Sequence, residues 1–291
     1  MSDFKSKIYR AISLYKLRGM KWFVISVMGE LPLFSSLFGK LANMIQSTKA
    51  PIFFSGLGGI HSNQLWFERR AALGRKAAEI LKGPAKVLEI GTWFGKGSTQ
   101  VWLSTLHPGS SMMLIDSWRA YFSKAVASGA ARRMDSMHHV AINSTLNEVY
   151  KFESQRELEI QVVRAESKSF LPLLKDDLFD VIYIDGSHYY EDVKKDIQNA
   201  KRLIRKGGLI CGYDFDLLPT NELIELARKS LELDLLVLPD GTAIHPGVML
   251  AVVEEFKDVR SENGFWWIDP APVSKDEAIS KLKDSWSGKP E

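Results

Sequence analysis

Cysteine is almost absent from this chain, because Cys211 is the single one among 291 residues. One cysteine excludes an internal disulfide framework and a zinc site built from cysteine pairs. A chain of this kind suits a reducing compartment, so we expect a cytoplasmic protein. Internal repeats and low-complexity tracts are also missing, and 45% of the residues are hydrophobic, as is usual for a globular protein with a sizeable core.

The chain also lacks a hydrophobic run suited to crossing a membrane. Its most apolar stretch, residues 22–39, is interrupted by Glu30 and Pro32, and a bilayer span needs about 20 apolar residues. No apolar core with a small-residue cleavage site follows the basic start, so we predict no secretory signal. Residues 1–60 are predicted to form a helical extension that packs on the domain or on a partner copy. The alternative is a peripheral contact with a membrane surface through residues 1–50.

Excess positive charge is confined to the beginning of the chain. Residues 1–50 hold eight Lys and Arg against two Asp and Glu, whereas the whole chain holds 38 against 35. The body of the protein is therefore slightly acidic, which argues against a nucleic-acid partner.

Short apolar runs alternate with amphipathic stretches through the rest of the chain. Strands are predicted in KVLEI, SMMLID, ELEIQVVRA, LFDVIYID, LICGYDF, DLLVL and FWWID. Helices are predicted in NQLWFERRAALGRKAAEILK, STQVWLSTL, YEDVKKDIQNAKRLI, NELIELARKSL and GVMLAVVEEF. The KGG at 206–208 is predicted to end one helix, because glycine suits the left-handed C-terminal position. This alternation predicts an α/β fold whose mostly parallel sheet binds ligands at the carboxyl ends of its strands.

A glycine-rich turn follows the first predicted strand, in the stretch VLEIGTWFGKGSTQ. Its glycines miss the P-loop pattern, because Gly97 separates Lys96 from Ser98. They also miss the first, third and sixth positions of the dinucleotide fingerprint. The acid before the turn, Glu89, favours a ligand that carries positive charge instead of phosphate.

A second acid, Asp116, ends the next predicted strand, where a carboxylate can accept hydrogen bonds from ribose hydroxyls. Together with the turn, it predicts an adenosine-like ligand with a cationic portion. The alternative is that Glu89 is a solvated acid at the end of a strand and that the glycines only shape a turn.

Four segments, in order, resemble class I S-adenosylmethionine-dependent methyltransferases. VLEIGTWFGKGST resembles the first motif, and VIYIDGSHYYEDVKKDI, RKGGLICGYDF and HPGVMLAVVEEF are similar to later segments of small-molecule O-methyltransferases related to macrocin O-methyltransferase and cephalosporin hydroxylase. The resemblance implies a Rossmann-like methyltransferase domain at 61–291 with a mostly parallel seven-stranded sheet. It further implies S-adenosylmethionine as cofactor, and a hydroxyl of a sugar, glycoside or related small metabolite as acceptor.

The resemblance also implies which residues hold the cofactor. The turn would hold the methionine part, Asp116 the ribose, and the end of the third strand the adenine. The implied cofactor-binding residues are Glu89, Gly91, Thr92, Trp93, Gly95, Ser98, Asp116, Ser117, Trp118, Ala165, Glu166 and Ser167. For the last three the alternative is an ordinary loop with a helix cap at Ser167.

The implied catalytic residues are Asp185, His188 and Asp214. Methyl transfer requires that the acceptor oxygen be aligned and its proton removed, and an imidazole titrates near operating pH. The alternative for His188 is a structural histidine that hydrogen-bonds its loop. In relatives the acid of IDG and a pair of acids after the fifth strand hold a divalent metal. Asp185 and Asp214 are therefore implied to bind Mg²⁺, although Tyr213 replaces the first acid of that pair.

The remaining histidines are less informative. His245 is predicted to line the acceptor pocket or, as we favour, to play a structural role such as capping the next helix. His138 and His139 receive no role, because two adjacent histidines are a weak metal signal.

Two other functions stay open at this point. One is a cephalosporin-hydroxylase-like, metal-dependent enzyme on the same fold. The other is a non-catalytic module tethered to a membrane through the basic N-terminal segment. We expect a homo-oligomer, because dimers are the commonest assembly of such chains.

Overall fold

The computed structural model describes residues 67–121 and 129–269. The predicted N-terminal extension, residues 1–60, lies outside the described residues. No helix in the described part of the chain combines the length and the apolar character that a bilayer span requires.

A seven-stranded sheet organises the described residues in the order β3-β2-β1-β4-β5-β9-β8. Its parallel strands are β1 (Lys86–Ile90), β2 (Ser111–Asp116), β3 (Glu159–Arg164), β4 (Phe179–Ile184) and β5 (Ile204–Phe215). Two antiparallel strands extend the sheet beyond β5, and a separate two-stranded hairpin precedes them. These four strands are β6 (Leu236–Val237), β7 (Ala243–Ile244), β8 (Val259–Glu262) and β9 (Gly264–Ile268).

Helices cover both faces of this sheet. They are α1 (Phe67–Ile80), α2 (Ser98–Thr105), α3 (Gly129–Arg156), α4 (Ser167–Phe170), α5 (Tyr190–Leu203), α6 (Asn221–Arg228) and α7 (Pro246–Glu255), with a 3₁₀ turn at Leu171–Leu173. Neighbouring residues of β1 face opposite cores: Val87 packs with α1 and α2, and Leu88 packs with α5 and α7. Because both sides of the strands are buried, these strands read as continuous apolar runs. The predicted fold, a mostly parallel sheet with helices on both faces, is confirmed.

Some boundaries differ from the prediction. Helix α5 ends at Leu203, and the KGG at 206–208 lies inside β5. The left-handed Gly207, with φ of 79°, sits where the register between β4 and β5 shifts. The prediction that KGG ends the helix was therefore wrong, because β5 already begins at Ile204, before the two glycines.

The sequence patterns gave a wrong prediction, or none, for three elements. Within DLLVL only Leu236–Val237 forms a strand, and it pairs in the hairpin instead of the main sheet. The edge strand β8 has the largely polar sequence VRSE and gives no apolar signal. Helix α3 was also missed, because two of the buried positions on its core-facing stripe are polar, Thr145 and Glu148.

Gly212 allows β5 to pack between β4 and β9. A Cβ atom at this position would lie 2.5 Å from the carbonyl oxygen of Ile184 and 2.6 Å from the ring of Trp266. We expect Gly212→Ala to lower the free energy of unfolding by about 1–3 kcal/mol through overpacking. Thermal or urea unfolding of the purified variant measures this change.

Gly83→Ala is the matched control, because a Cβ at Gly83 meets nothing within 4 Å. We expect a change within about 0.5 kcal/mol for this variant. Equal effects of the two substitutions would contradict the role assigned to Gly212.

Candidate active site

The glycine turn is pressed against the end of β4. Gly91 has φ of 88°, and a Cβ there would lie only 1.9 Å from the carbonyl oxygen of Asp185. A Cβ at Gly95 would lie 3.0 Å from the Cα of Thr145 in α3. The turn is therefore fixed between β4 and α3 by positions that have no room for a side chain.

Asp116 binds the backbone of this turn. Its Oδ2 accepts hydrogen bonds from the N–H groups of Thr92 and Trp93 at 2.9 and 2.7 Å, and its Oδ1 accepts one from Trp118 N–H at 2.6 Å. Burial raises the pKa of this carboxyl, and the three N–H donors oppose that effect. A carboxylate offers about four acceptor positions, so these three bonds leave one position of Asp116 unused. Its contact with ribose stays a prediction.

Glu89 lies beneath the turn and is fully buried, so the alternative of a solvated acid was wrong. The hydroxyls of Ser98 and Thr99, at the start of α2, donate to its two oxygens at 2.5 and 2.7 Å. Burial raises the pKa of Glu89 to about 7 despite these two donors, and the charge of Asp116 adds to the increase. Glu89 therefore anchors α2 directly, and its role toward a cofactor stays a prediction.

The predicted adenine contacts follow β3. The N–H of Ala165 donates to the carbonyl oxygen of Asp116 at 3.0 Å, and Glu166 is exposed. The helix cap proposed at Ser167 was wrong, because Glu166 is the N-cap of α4 and Ser167 is its first residue. The hydroxyl of Ser167 bonds instead to the buried carboxyl of Asp196, whose pKa burial raises to about 7. The adenine role of these residues stays a prediction.

The three predicted catalytic residues meet at the carboxyl ends of β4 and β5. Ligand atoms of Asp185, His188 and Asp214 lie within 4.8 Å of one another. The Nε2 atom of His188 is 2.9 Å from Oδ2 of Asp214. The backbone of Asp214, within β5, has a left-handed conformation with φ of 63°. This conformation interrupts the regular alternation of side chains along a strand.

Three further residues surround His188 and were not assigned to this cluster from the sequence. Asp234, just before β6, has its Oδ1 2.8 Å from Nδ1 of His188. The hydroxyl of Tyr121 is 3.0 Å from the same nitrogen and donates to Asp234 at 3.1 Å. The ring of His245 lies 4.2 Å from that of His188, measured between centroids. Asp234 and Tyr121 lie in loops without a motif, so no sequence signal marked them.

His245 occupies the N-cap position of α7, but its side chain makes no capping bond. Its Nδ1 lies 2.7 Å from the carbonyl oxygen of Asp234, and its Nε2 lies 3.7 Å from Oδ1 of Asp214. The capping role that we favoured was wrong, and the residue belongs to the cluster around His188.

The charges of this cluster are strongly coupled. Burial opposes charge on His188, but the carboxylates of Asp214 and Asp234 outweigh burial and raise its pKa well above the usual value. The nearby imidazoles of His245 and His188 hold the pKa of Asp214 well below its usual range against the effect of burial. Burial and the charge of Asp214 raise the pKa of Asp185 well above its usual range. The raised pKa favours the protonated form of His188, which has a carboxylate at each ring nitrogen, and this disfavours a role as base.

The donor set does not fit the Mg²⁺ site implied by the resemblance. Mg²⁺ prefers oxygen ligands, and Tyr213 supplies none, because its ring packs in the core beneath the guanidinium of Arg69. Nitrogen groups of His188, His245 and Arg69 surround the carboxylate of Asp214, at 2.9, 3.7 and 3.9 Å. The assignment of Mg²⁺ to Asp185 and Asp214 remains a prediction from the resemblance alone.

The buried carboxyl of Glu89 generates a pH dependence of stability. Its folded pKa of about 7 exceeds the ordinary value of 4.5, so the folded state holds this proton more tightly than the unfolded state. Its contribution is thus fully present below pH 4.5 and is lost as the pH rises toward 7. Glu89→Gln keeps the shape of the side chain without its charge. In the wild type we expect Glu89 to lower the free energy of unfolding by about 3 kcal/mol between pH 4.5 and 8, and this decrease should be absent from the variant.

Thermal unfolding at a series of pH values measures this effect. Glu191→Gln, at an exposed position of α5, is the control and should leave the pH profile unchanged. A Glu89→Gln profile that parallels the wild type would contradict the assignment.

The protonated state of His188 depends on Asp234. We expect Asp234→Asn to lower the pKa of His188, because the substitution removes one of the two negative charges that raise it. Side-chain NMR of ¹⁵N-labelled histidine, followed over a pH titration, measures this pKa. Tyr121→Phe is the matched control, because it removes a neutral hydrogen-bonding group from the same nitrogen. An equal change in both variants would mean that packing, and not charge, sets the pKa.

Part of this chain is similar to known proteins. Residues 88–215 match the model of a family described as a methyltransferase domain. No curated protein matches the chain by sequence. Similar solved structures include the O-methyltransferase TomG from Streptomyces achromogenes, involved in tomaymycin synthesis and solved in complex with SAM. It is 17% identical, with 72% of this chain and 82% of that chain covered and a TM-score of 0.44.

Another similar structure is an O-methyltransferase from Bacillus cereus, solved in complex with SAH. It is 14% identical, with 77% of this chain and 90% of that chain covered and a TM-score of 0.45. The family match begins within β1 and ends with the last residue of β5, so it spans the glycine turn and all of the predicted site residues. The chain is thus similar to a methyltransferase domain over this segment, which runs from β1 to β5 of the sheet.

Proposed function

We propose that this protein transfers the methyl group of S-adenosylmethionine to a hydroxyl group of a small molecule. The observation that carries the proposal is the position of the Asp185–His188–Asp214 cluster, which lies beside the glycine turn of a methyltransferase domain. Removal of a hydroxyl proton needs groups of this kind within reach of the acceptor oxygen.

The charge around the turn supports a cationic cofactor. Glu89, Asp116 and Asp185 are carboxyls at the ends of three adjacent strands, and the charge of Glu89 contributes to the raised pKa of Asp185. Binding of positive charge beside carboxyls that repel one another is favourable. S-adenosylmethionine supplies a methyl group already activated by its sulfonium charge. The turn would hold its methionine part, and Asp116 would hold its ribose through the remaining acceptor position.

The residues after β4 and within β5 would prepare the acceptor. Oδ2 of Asp214 is bound to His188, whereas Oδ1 has only longer contacts and is free to accept a hydrogen bond from a hydroxyl. Positive charge bound nearby would lower the raised pKa of Asp185, so that this carboxyl ionises and can accept the proton of the hydroxyl. We assign proton acceptance to Asp185, hydroxyl alignment to Asp214, and the positioning of Asp214 to His188.

A sugar or glycoside is the acceptor class that we favour. Polar side chains contact both His188 and Asp214: Tyr121 and Asp234 lie at His188, and His245 and Arg69 lie at Asp214. A site lined in this way suits a molecule with several hydroxyls better than an apolar one. The resemblance to sugar-modifying relatives supports the same class.

Calorimetric titration of S-adenosylmethionine into the full chain, in the presence of EDTA, tests the cofactor. We expect a dissociation constant on the order of 10 μM, an ordinary small-molecule affinity. Asp116→Ala should weaken binding at least about tenfold, because the N–H groups of Thr92 and Trp93 lose the acceptor that fixes the turn. Asp240→Ala, at an exposed acid far along the chain, is the matched control. Absence of binding by the wild type would refute the proposed function.

Acceptor specificity is tested with the same protein. Release of S-adenosylhomocysteine is measured against a panel of nucleotide sugars, glycosides and simple phenols. Turnover only with phenols would overturn the sugar assignment while leaving methyl transfer intact.

A further inference from the structure

The resemblance implies an acid directly before Asp214, and this chain has Tyr213 there. Its side chain is buried, and it faces the core on the side of α1 together with Tyr183 and Cys211. The guanidinium carbon of Arg69, from α1, lies 4.6 Å from the centre of the Tyr213 ring. The chain therefore has the guanidinium of Arg69 stacked on Tyr213 where the resemblance implies a carboxylate.

Arg69 is tied to both acids that follow Tyr213. Its Nη2 donates to Oδ1 of Asp216 at 2.7 Å, and its Nη1 lies 3.9 Å from Oδ1 of Asp214. These contacts join the first described helix to the end of β5. They place a permanent positive charge beside the oxygen of Asp214 that has no short contact.

The neighbouring strand leaves room for this guanidinium. At Gly264 in β9, a Cβ atom would lie 2.9 Å from Oδ1 of Asp216 and 3.4 Å from the guanidinium carbon of Arg69. Gly264 also has φ of 82°, so its backbone favours glycine for a second reason, and the space above it is occupied by the Arg69–Asp216 pair.

Arg69 has N–H donors that these contacts do not use. Its side chain is 29% exposed, and a guanidinium carries five N–H donors in a planar fork. Two nitrogens face Asp216 and Asp214, and the remaining N–H groups can donate to an oxygen of an acceptor. A planar fork suits a molecule with two neighbouring oxygens, which it can bind in a bidentate manner.

We infer that this protein uses the guanidinium of Arg69, in place of a divalent ion, to orient the acceptor at the end of β5. The role of Arg69 toward an acceptor rests on the proposed function, whereas its replacement of the ion does not. The acceptor would carry a second oxygen next to the hydroxyl that is methylated, as in a vicinal diol. A divalent ion at Asp214 would face the fixed charge of Arg69 at short range, and like charges repel.

Binding of Mn²⁺ to the full chain, followed by the EPR signal of the free ion, tests the replacement. We expect no stoichiometric binding by the wild type up to about millimolar Mn²⁺, a concentration at which weak sites of hard cations fill. Binding of one Mn²⁺ that Mg²⁺ displaces and that Asp185→Asn abolishes would overturn the inference. Failure of the proposed function is detected separately, because the S-adenosylmethionine titration is performed in EDTA.

Arg69→Met and Arg69→Lys separate charge from packing. Arg69→Met should bind Mn²⁺ at least about tenfold more tightly than the wild type, because Asp214 and Asp216 lose their fixed counter-charge. Its affinity for S-adenosylmethionine should remain unchanged, which also reports that the variant is folded. Arg69→Lys keeps a charge without the fork and should leave Mn²⁺ excluded.

Turnover separates orientation of the acceptor from exclusion of the ion. With a vicinal-diol glycoside, both Arg69 variants should show a raised KM, and Arg75→Met, on the exposed side of α1, should match the wild type. Unaltered KM and unaltered Mn²⁺ affinity in Arg69→Met would overturn the inference.

Discussion

The contact between His188 and Asp214 is the interaction on which the rest of the site depends. It joins the loop after β4 to the end of β5, and Asp234 brings in the segment before β6 at the other ring nitrogen. Only 17% of the His188 side chain and 13% of the Asp214 side chain are exposed. Charges this poorly hydrated are tolerated only when they are paired, so loss of one partner leaves the other at a cost of about 3–5 kcal/mol. The same pairing raises the pKa of the imidazole and so favours its cationic form.

The glycine turn is held in place by contacts within the protein. Its N–H groups at Thr92 and Trp93 are held by Asp116, and the backbone at Gly91 touches the end of β4. A turn fixed in this way loses little conformational freedom when a ligand binds, and this lowers the entropic cost of association. The two acids that the sequence marked as ligand contacts therefore have a structural task as well: Asp116 shapes the turn and Glu89 anchors the helix that follows it.

Sequence patterns located the acids at the strand ends but could not locate the groups that control them. Asp116, Asp185 and Asp214 were found because buried parallel strands give recognisable apolar runs, and the residue that ends such a run lies at a known edge of the sheet. Arg69 and Asp234 come from a helix and a loop far apart in the chain, and only the packing of α1 and β6 brings them to the cluster. The burial of Glu89 could not be predicted either, because a strand pattern does not show which hydroxyl groups will donate hydrogen bonds to a carboxylate.

Asp214 lies in β5 with a left-handed backbone, a conformation that β-branched and bulky residues strongly disfavour. The backbone at this position therefore favours aspartate, asparagine and glycine over other residues. Of these three, only aspartate brings a charge. The local conformation and the charge that pairs with His188 are thus both met by this single residue type.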